Sequence, residues 1–301
     1  MRRISISIAV AALSCLLVLP ACSQNDDIVE SGTYTIEVAA VKGSSGATPS
    51  TRALTLDGDY LGAPWVDGET VSVFKANFSA QSADEAYLEV GTLTAQSSNG
   101  YTTKLVGKLT GTFEAGDFLM FCYQHGFQFD YRGQKGTLEY IASNYDYALA
   151  GGEVSAVSSG TITISTALVF SSMQSIFKFN LKDSQGAPLE ASKLVIRSYT
   201  AGENGTEQDF LVQSFDPIHI GVSEGSGGQP GPIEVNLSTP SSAIFVALSG
   251  VGQQGPLSPL EAKPITMTAT VGKDTYTYTK DSFSFDINKY YVYDVKMTKQ
   301  E

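Results

Sequence analysis

The sequence predicts an all-β protein of sandwich type. Three observations carry that prediction. Short runs rich in β-branched and aromatic residues recur along the chain. Gly, Pro, Ser, Asn or Asp bounds each run. No convincing amphipathic helix interrupts them, the nearest being a short turn around Pro188-Leu-Glu-Ala191. Many short strands separated by turn signals bury their apolar faces most readily as two packed sheets.

The chain opens on Arg2 and Arg3, followed by an uncharged, largely apolar run from Ile4 to Leu19. This is the build of a secretory signal, and the run is shorter than the roughly 20 residues that a spanning helix requires. Leu19-Pro20-Ala21-Cys22 reads as a lipobox, so residues 1–21 are expected to be removed and Cys22 to carry the lipid that holds the chain at the outer membrane. Two or more acyl chains hold firmly where one would not. The polar stretch Ser23-Gln24-Asn25-Asp26-Asp27 is then a solvated tether, similar to the acidic signal that sends some lipoproteins to the outer face of the outer membrane.

The first strand signal is Tyr34-Thr-Ile36-Glu-Val38, with Tyr34, Ile36 and Val38 on one face. After it, residues 43–52 are small, polar and punctuated by Gly and Pro, which predicts an exposed loop. Arg52 lies in that loop and is the only arginine between Arg3 and Arg132, readily found by an arginine-specific protease. Further strands are predicted at Val71–Val73, Thr161–Ile164, Ile176–Leu181, Lys193–Ile196, Ala243–Leu248, Ile265–Val271 and Tyr290–Met297. In the last, Tyr291, Tyr293, Val295 and Met297 share a face. A fresh apolar block opens at Leu168, so a domain seam is expected near Thr166, with sandwich domains over 53–165 and 166–301. Residues 221–232 are a Gly-rich loop too poor in lysine to cradle phosphate.

Composition narrows the function. Removing residues 1–21 leaves 19 − 2 = 17 basic residues against 31 acidic ones, a net charge of −14. Nucleic acid is therefore not expected as a partner, because phosphate contacts require clustered Lys and Arg. Cys122 would remain as a lone thiol, alternating with Phe118 and Met120 on one strand face, which reads as a core position. His125 and His219 are the only histidines, too far apart in sequence to make a zinc site, and no Ser lies in a Gly-x-Ser-x-Gly elbow. No catalytic residue, metal site or cofactor is predicted. Paired carboxylates of a surface hydrolase cannot be recognised from one sequence. Trp65 is the sole tryptophan, a thin basis for a sugar-stacking platform.

Taken in order, several stretches resemble the fimbrillins, the subunits and accessory subunits of type V pili. They are the lipobox ending at Cys22, Thr51-Arg52-Ala53, Trp65-Val-Asp-Gly-Glu-Thr-Val-Ser-Val73, Leu109–Phe113 with Gly116–Phe121, Thr275–Tyr278 and Phe283–Val295. The resemblance implies two tandem transthyretin-like β-sandwich domains and export as a lipoprotein. It also implies cleavage between Arg52 and Ala53 by an arginine-specific protease, and assembly with other pilus subunits by β-strand addition. Residues 22–52 would then be a tether, a strand and a cleavable propeptide. Removing the strand that carries Tyr34, Ile36 and Val38 would open a groove for a partner strand. The strand with Tyr291, Tyr293, Val295 and Met297 is the other candidate for exchange. The sequence stops four residues beyond Met297, which leans toward a tip or accessory subunit that accepts a strand without donating one. A host or bacterial surface ligand is an expected partner of such an adhesin. The competing reading is a surface glycan-binding lipoprotein of a polysaccharide-uptake system, which would not require Arg52 and would gather exposed aromatics in one cluster.

Overall fold

A computed structural model gives the structure of the protein. It describes residues 32–301 apart from 43–54, 58–59, 63, 81–82, 124–128, 202–206, 216–227 and 253–254. Cys22, Arg52, Ala53, His125 and His219 lie outside the described residues.

Eight strands surround a first core: β1 (Gly32–Lys42), β2 (Thr70–Ala76), β3 (Tyr87–Asn99), β4 (Thr102–Gly111), β5 (Phe118–Tyr123), β6 (Ala148–Ser158), β7 (Thr161–Ile164) and β8 (Leu168–Ser172). On one side β1 runs antiparallel to β4, from Gly32 opposite Gly111 to Val41 opposite Thr102. On the other it runs parallel to β7 at Thr35 and Ile36 and to β8 from Ala40 to Lys42. β4, β3, β2, β5 and β6 follow in antiparallel ladders, and β6 pairs with both β7 and β8. The sheet thus closes on itself through β1. Inward-facing Val71, Val73, Leu93, Leu105, Leu109, Leu119, Phe121 and Phe170 fill it.

The pattern did not predict β3 and β4. Glycine dilutes their alternation, yet two of those glycines have a steric reason. A Cβ on Gly107 would come within 2.6 Å of the Thr92 carbonyl oxygen, and one on Gly91 within 2.5 Å of the Lys108 carbonyl oxygen. The two backbones therefore approach too closely for any side chain at these points.

Eight more strands build most of a second core: β9 (Ser175–Lys182), β10 (Ala191–Ala201), β11 (Ile233–Ser241), β12 (Ala243–Leu248), β13 (Leu260–Val271), β14 (Asp274–Phe285), β15 (Tyr290–Lys296) and β16 (Thr298–Lys299). One sheet has the order β12-β9-β15, and the other runs β10-β13-β14-β16, with β11 and the short strand Glu207–Asp209 also paired to β10. Phe177, Phe179, Ile196, Val235, Val246, Met267 and Phe283 meet between them. The chain is therefore all-β, with two sandwich-type cores in tandem.

Residues that precede β6 also serve the second core. Phe129, Tyr131, Ile141, Tyr145 and Tyr147 all pack there. Gln134 is fully buried among them and satisfies its carboxamide completely: Nε2 donates to the carbonyls of Tyr131 and Ala247, and Oε1 accepts from the Ala247 amide. A short helix, Leu138–Asn144, departs from the strand-only expectation. The Thr137 side chain caps it by accepting from the Tyr140 amide, and Ile141 anchors it in the core. At Pro188–Ala191 there is no helix. Pro188 instead forms an isolated bridge to Lys182, Leu189 is buried, and β10 begins at Ala191.

Candidate strand-exchange site

β1 is an inserted strand with a strict period of two. Ile36, Val38, Ala40 and Lys42 are buried, while Thr35, Glu37 and Ala39 face outward. Half-buried Tyr34 heads the inward row and meets the edge of Phe113 with ring centroids 5.4 Å apart. Burying Ile36 and Val38 contributes about 1.5–3 kcal/mol each. The outward Glu37 pairs with Lys104 at 2.6 Å, but both are well exposed and the pair adds little. Tyr34, Ile36 and Val38 thus occupy one face of a strand that fills an apolar groove.

The last inward position breaks the apolar row. Lys42 is 3% exposed, and its Nζ lies 3.2 Å from Glu69 Oε2. The same ammonium sits 3.1 Å from the ring centroid of Tyr123 and 4.2 Å from that of Trp65. Glu69 is gripped further: it accepts from the Tyr123 hydroxyl at 2.6 Å and from the Val66 amide at 3.1 Å. Asp146 is buried close by, and burial pushes its carboxyl above the ordinary range, with Lys42 opposing that shift and Glu69 adding to it. The main chain is tied as well, since the Lys42 amide donates to the Tyr101 carbonyl at 2.9 Å. Sequence reasoning missed this box. The only signal was that Lys42 continues the phase of Tyr34, Ile36 and Val38, and a lysine in that phase ordinarily counts as an exposed strand end.

Trp65 serves the first core rather than a surface. It is 3% exposed and meets Tyr123 and Phe170 edge to face. Cys122 shares a small buried cluster with Phe74, flanked by Met120, Tyr87 and Leu149, and burial raises its thiol far from reactivity. Among the described residues, no group of three or more His, Cys, Asp and Glu side chains is arranged to hold a metal ion, and no helix is long and apolar enough to cross a membrane.

The C-terminal candidates lie in the other core. Among the described residues β15 pairs with β9 alone, in parallel, from Tyr290 beside Ile176 to Lys296 beside Lys182, which makes it an edge strand. Tyr291 and Tyr293 stack on Phe177 at 4.9 and 6.2 Å, and Tyr293 also stacks on Phe179. Val295 and Met297 are buried, and the Met297 amide donates to the Lys182 carbonyl at 2.8 Å. Tyr290 is buried too, although its phase is opposite. The two sets of candidates are therefore not brought together: Tyr34, Ile36 and Val38 belong to the first core, and Tyr291, Tyr293, Val295 and Met297 to the second.

No family model matches the chain, and no curated protein matches it. Solved structures do. A protein of Bacteroides ovatus assigned to cell adhesion is 14% identical with a TM-score of 0.48, over 90% of this chain and 97% of its own. A fimbrial assembly protein of Parabacteroides distasonis is 10% identical with a TM-score of 0.42, covering 88% and 91%. The C-terminally truncated tip fimbrial protein of Porphyromonas gingivalis is 9% identical with a TM-score of 0.40, covering 89% and 99%. These descriptions are of adhesion and fimbrial proteins.

Proposed function

We propose that this chain is the lipid-delivered precursor of a type V pilus subunit whose acceptor groove is filled in storage by its own β1. The lipid on Cys22 brings it to the outer membrane, an arginine-specific protease cuts between Arg52 and Ala53, and loss of residues 22–52 opens the groove. A strand from another subunit then takes the place of β1.

The observation that supports this reading is the closure of the first sheet. β1 is hydrogen-bonded along both edges and buries one full row of side chains. Arg52 lies between β1 and β2 in sequence, so a cut there would leave β1 held by non-covalent contacts alone. Vacating β1 would expose an apolar groove flanked by two unpaired backbone edges, which is what strand addition requires. The burial of Val295 and Met297 in the chain's own second core favours an acceptor role, as in a tip or accessory subunit. The glycan-binding alternative gains nothing from Trp65, whose faces are covered. The deciding experiment is surface N-terminal sequencing of pili-bearing cells that express the wild-type chain or Arg52→Ala. A start at Ala53, with assembly lost in the variant, is expected; normal assembly by Arg52→Ala would overturn the reading.

A further inference from the structure

We infer that the seat of Lys42 is a cation-reading position, and that the strand this groove accepts from a partner protein carries a lysine eight residues after its first inward-facing aromatic. The inference rests on the proposed release of β1, and it adds a chemical requirement that release alone does not impose.

The groove holds five inward positions in register: Tyr34, Ile36, Val38, Ala40 and Lys42. The middle three are aliphatic holes. A strand slipped by two residues would keep the same face inward and still present aliphatic side chains to aliphatic holes, so these positions specify register poorly. The two ends specify it well. At the near end Phe113 meets an aromatic ring. At the far end Glu69, Tyr123 and Trp65 surround an ammonium, with Asp146 buried beside them.

A neutral side chain at the far end would leave a buried carboxylate facing an apolar group, and breaking a buried ion pair by removing one partner costs far more than the pair contributes intact. An ammonium also suits the box better than a guanidinium. The nitrogen lies 3.1 Å from the Tyr123 ring centroid and 3.2 Å from Glu69 Oε2, which leaves no depth for the larger planar fork. The backbone at this position is held too, the Lys42 amide donating to the Tyr101 carbonyl, while the side chain that enters the box is what distinguishes one register from the next. The box therefore selects a partner strand by charge, size and position together. Buried polar groups used as register keys in coiled coils work in the same way.

The test uses the full chain cleaved by an arginine-specific protease and challenged with fluorescent peptides of the sequence Ser31–Lys42, read by anisotropy. The unmodified peptide is expected to enter. Its Lys42→Met form is expected to bind at least about 100-fold more weakly, the factor that corresponds to losing one member of a buried pair. Lys42→Arg should fall between them. In a cleaved Glu69→Gln chain, the ratio between the Lys and Met peptides should collapse by at least about tenfold. Equal entry of the Lys and Met peptides, with a peptide doubly changed at Ile36→Asp and Val38→Asp excluded, would overturn the cation requirement while leaving strand release standing. Exclusion of every peptide from the cleaved chain would overturn strand release, and the inference with it.

Discussion

The hydroxyl of Tyr123 donates to Glu69 Oε1 at 2.6 Å, joining the end of β5 to a carboxylate that stands just before β2. This bond orients the carboxylate whose other oxygen faces Lys42. Tyr123→Phe keeps the ring under the Lys42 ammonium and removes only the donor. A loss of about 1.5–3 kcal/mol in unfolding free energy is expected, the range for a hydrogen bond to a charged group. Urea denaturation of the intact chain measures it, and an unchanged midpoint would show that Glu69 is oriented without Tyr123.

Ile36 and Glu37 are neighbours on opposite faces of β1, so they separate groove filling from strand presence. Ile36→Ala should cost about 2–4 kcal/mol through the cavity it leaves, whereas Glu37→Ala should stay within about 0.5 kcal/mol. After proteolysis, Ile36→Ala should also shed the N-terminal segment faster. Chromatographic detection of the freed segment against time would check this.

Asp146 adds a pH dependence to the buried box. Its raised carboxyl means that the folded chain holds this proton more tightly than the unfolded chain does. Stability from this residue is then present at low pH and declines as pH climbs from the ordinary carboxylate value through the raised folded one. Asp146→Asn removes the decline. The variant should therefore gain on the wild type across that window, by about 1.4 kcal/mol for every tenfold by which folding tightens the proton's hold, and level off above it. Urea midpoints across the acidic to neutral range give the difference curve, and a flat curve would count against it.

The C-terminal segment repeats the key spacing, with Lys299 eight residues after Tyr291 just as Lys42 follows Tyr34. Yet Val295 and Met297 are buried at home, and Lys299 is paired with Asp274 at 2.6 Å. Purified, cleaved protein is accordingly expected to remain monomeric. A ladder of polymers on a native gel run under reducing conditions would instead identify a shaft subunit that gives up β15 and β16.

Much of the fold was legible because burial is periodic. β7 and β12 coincide with the predicted runs, and the inward phase of Tyr34, Ile36 and Val38 could be read directly. The hairpin β3–β4 was not legible, since Gly91 and Gly107 are required by backbone contact rather than by pattern. Neither was the passage of Phe129–Tyr147 into the second core, which depends on contacts such as Gln134 with Ala247, far apart in sequence. The Lys42 box was hidden for a different reason. Each member looks ordinary alone, and only the register of β1 on β8, with Lys42 opposite Phe170, brings them together.

While the peptide chain between Lys42 and Thr70 is intact, β1 competes for its groove as a tethered ligand, at an effective concentration on the order of millimolar. No free strand at cellular levels can match that, however well its side chains fit. Once the chain is cut, β1 becomes one more solute and dilution works against it. With the proposed cleavage, the closed sheet would act as a timer: affinity for the final partner could be built in from the start, and the moment of its use would be decided by a single hydrolysed bond.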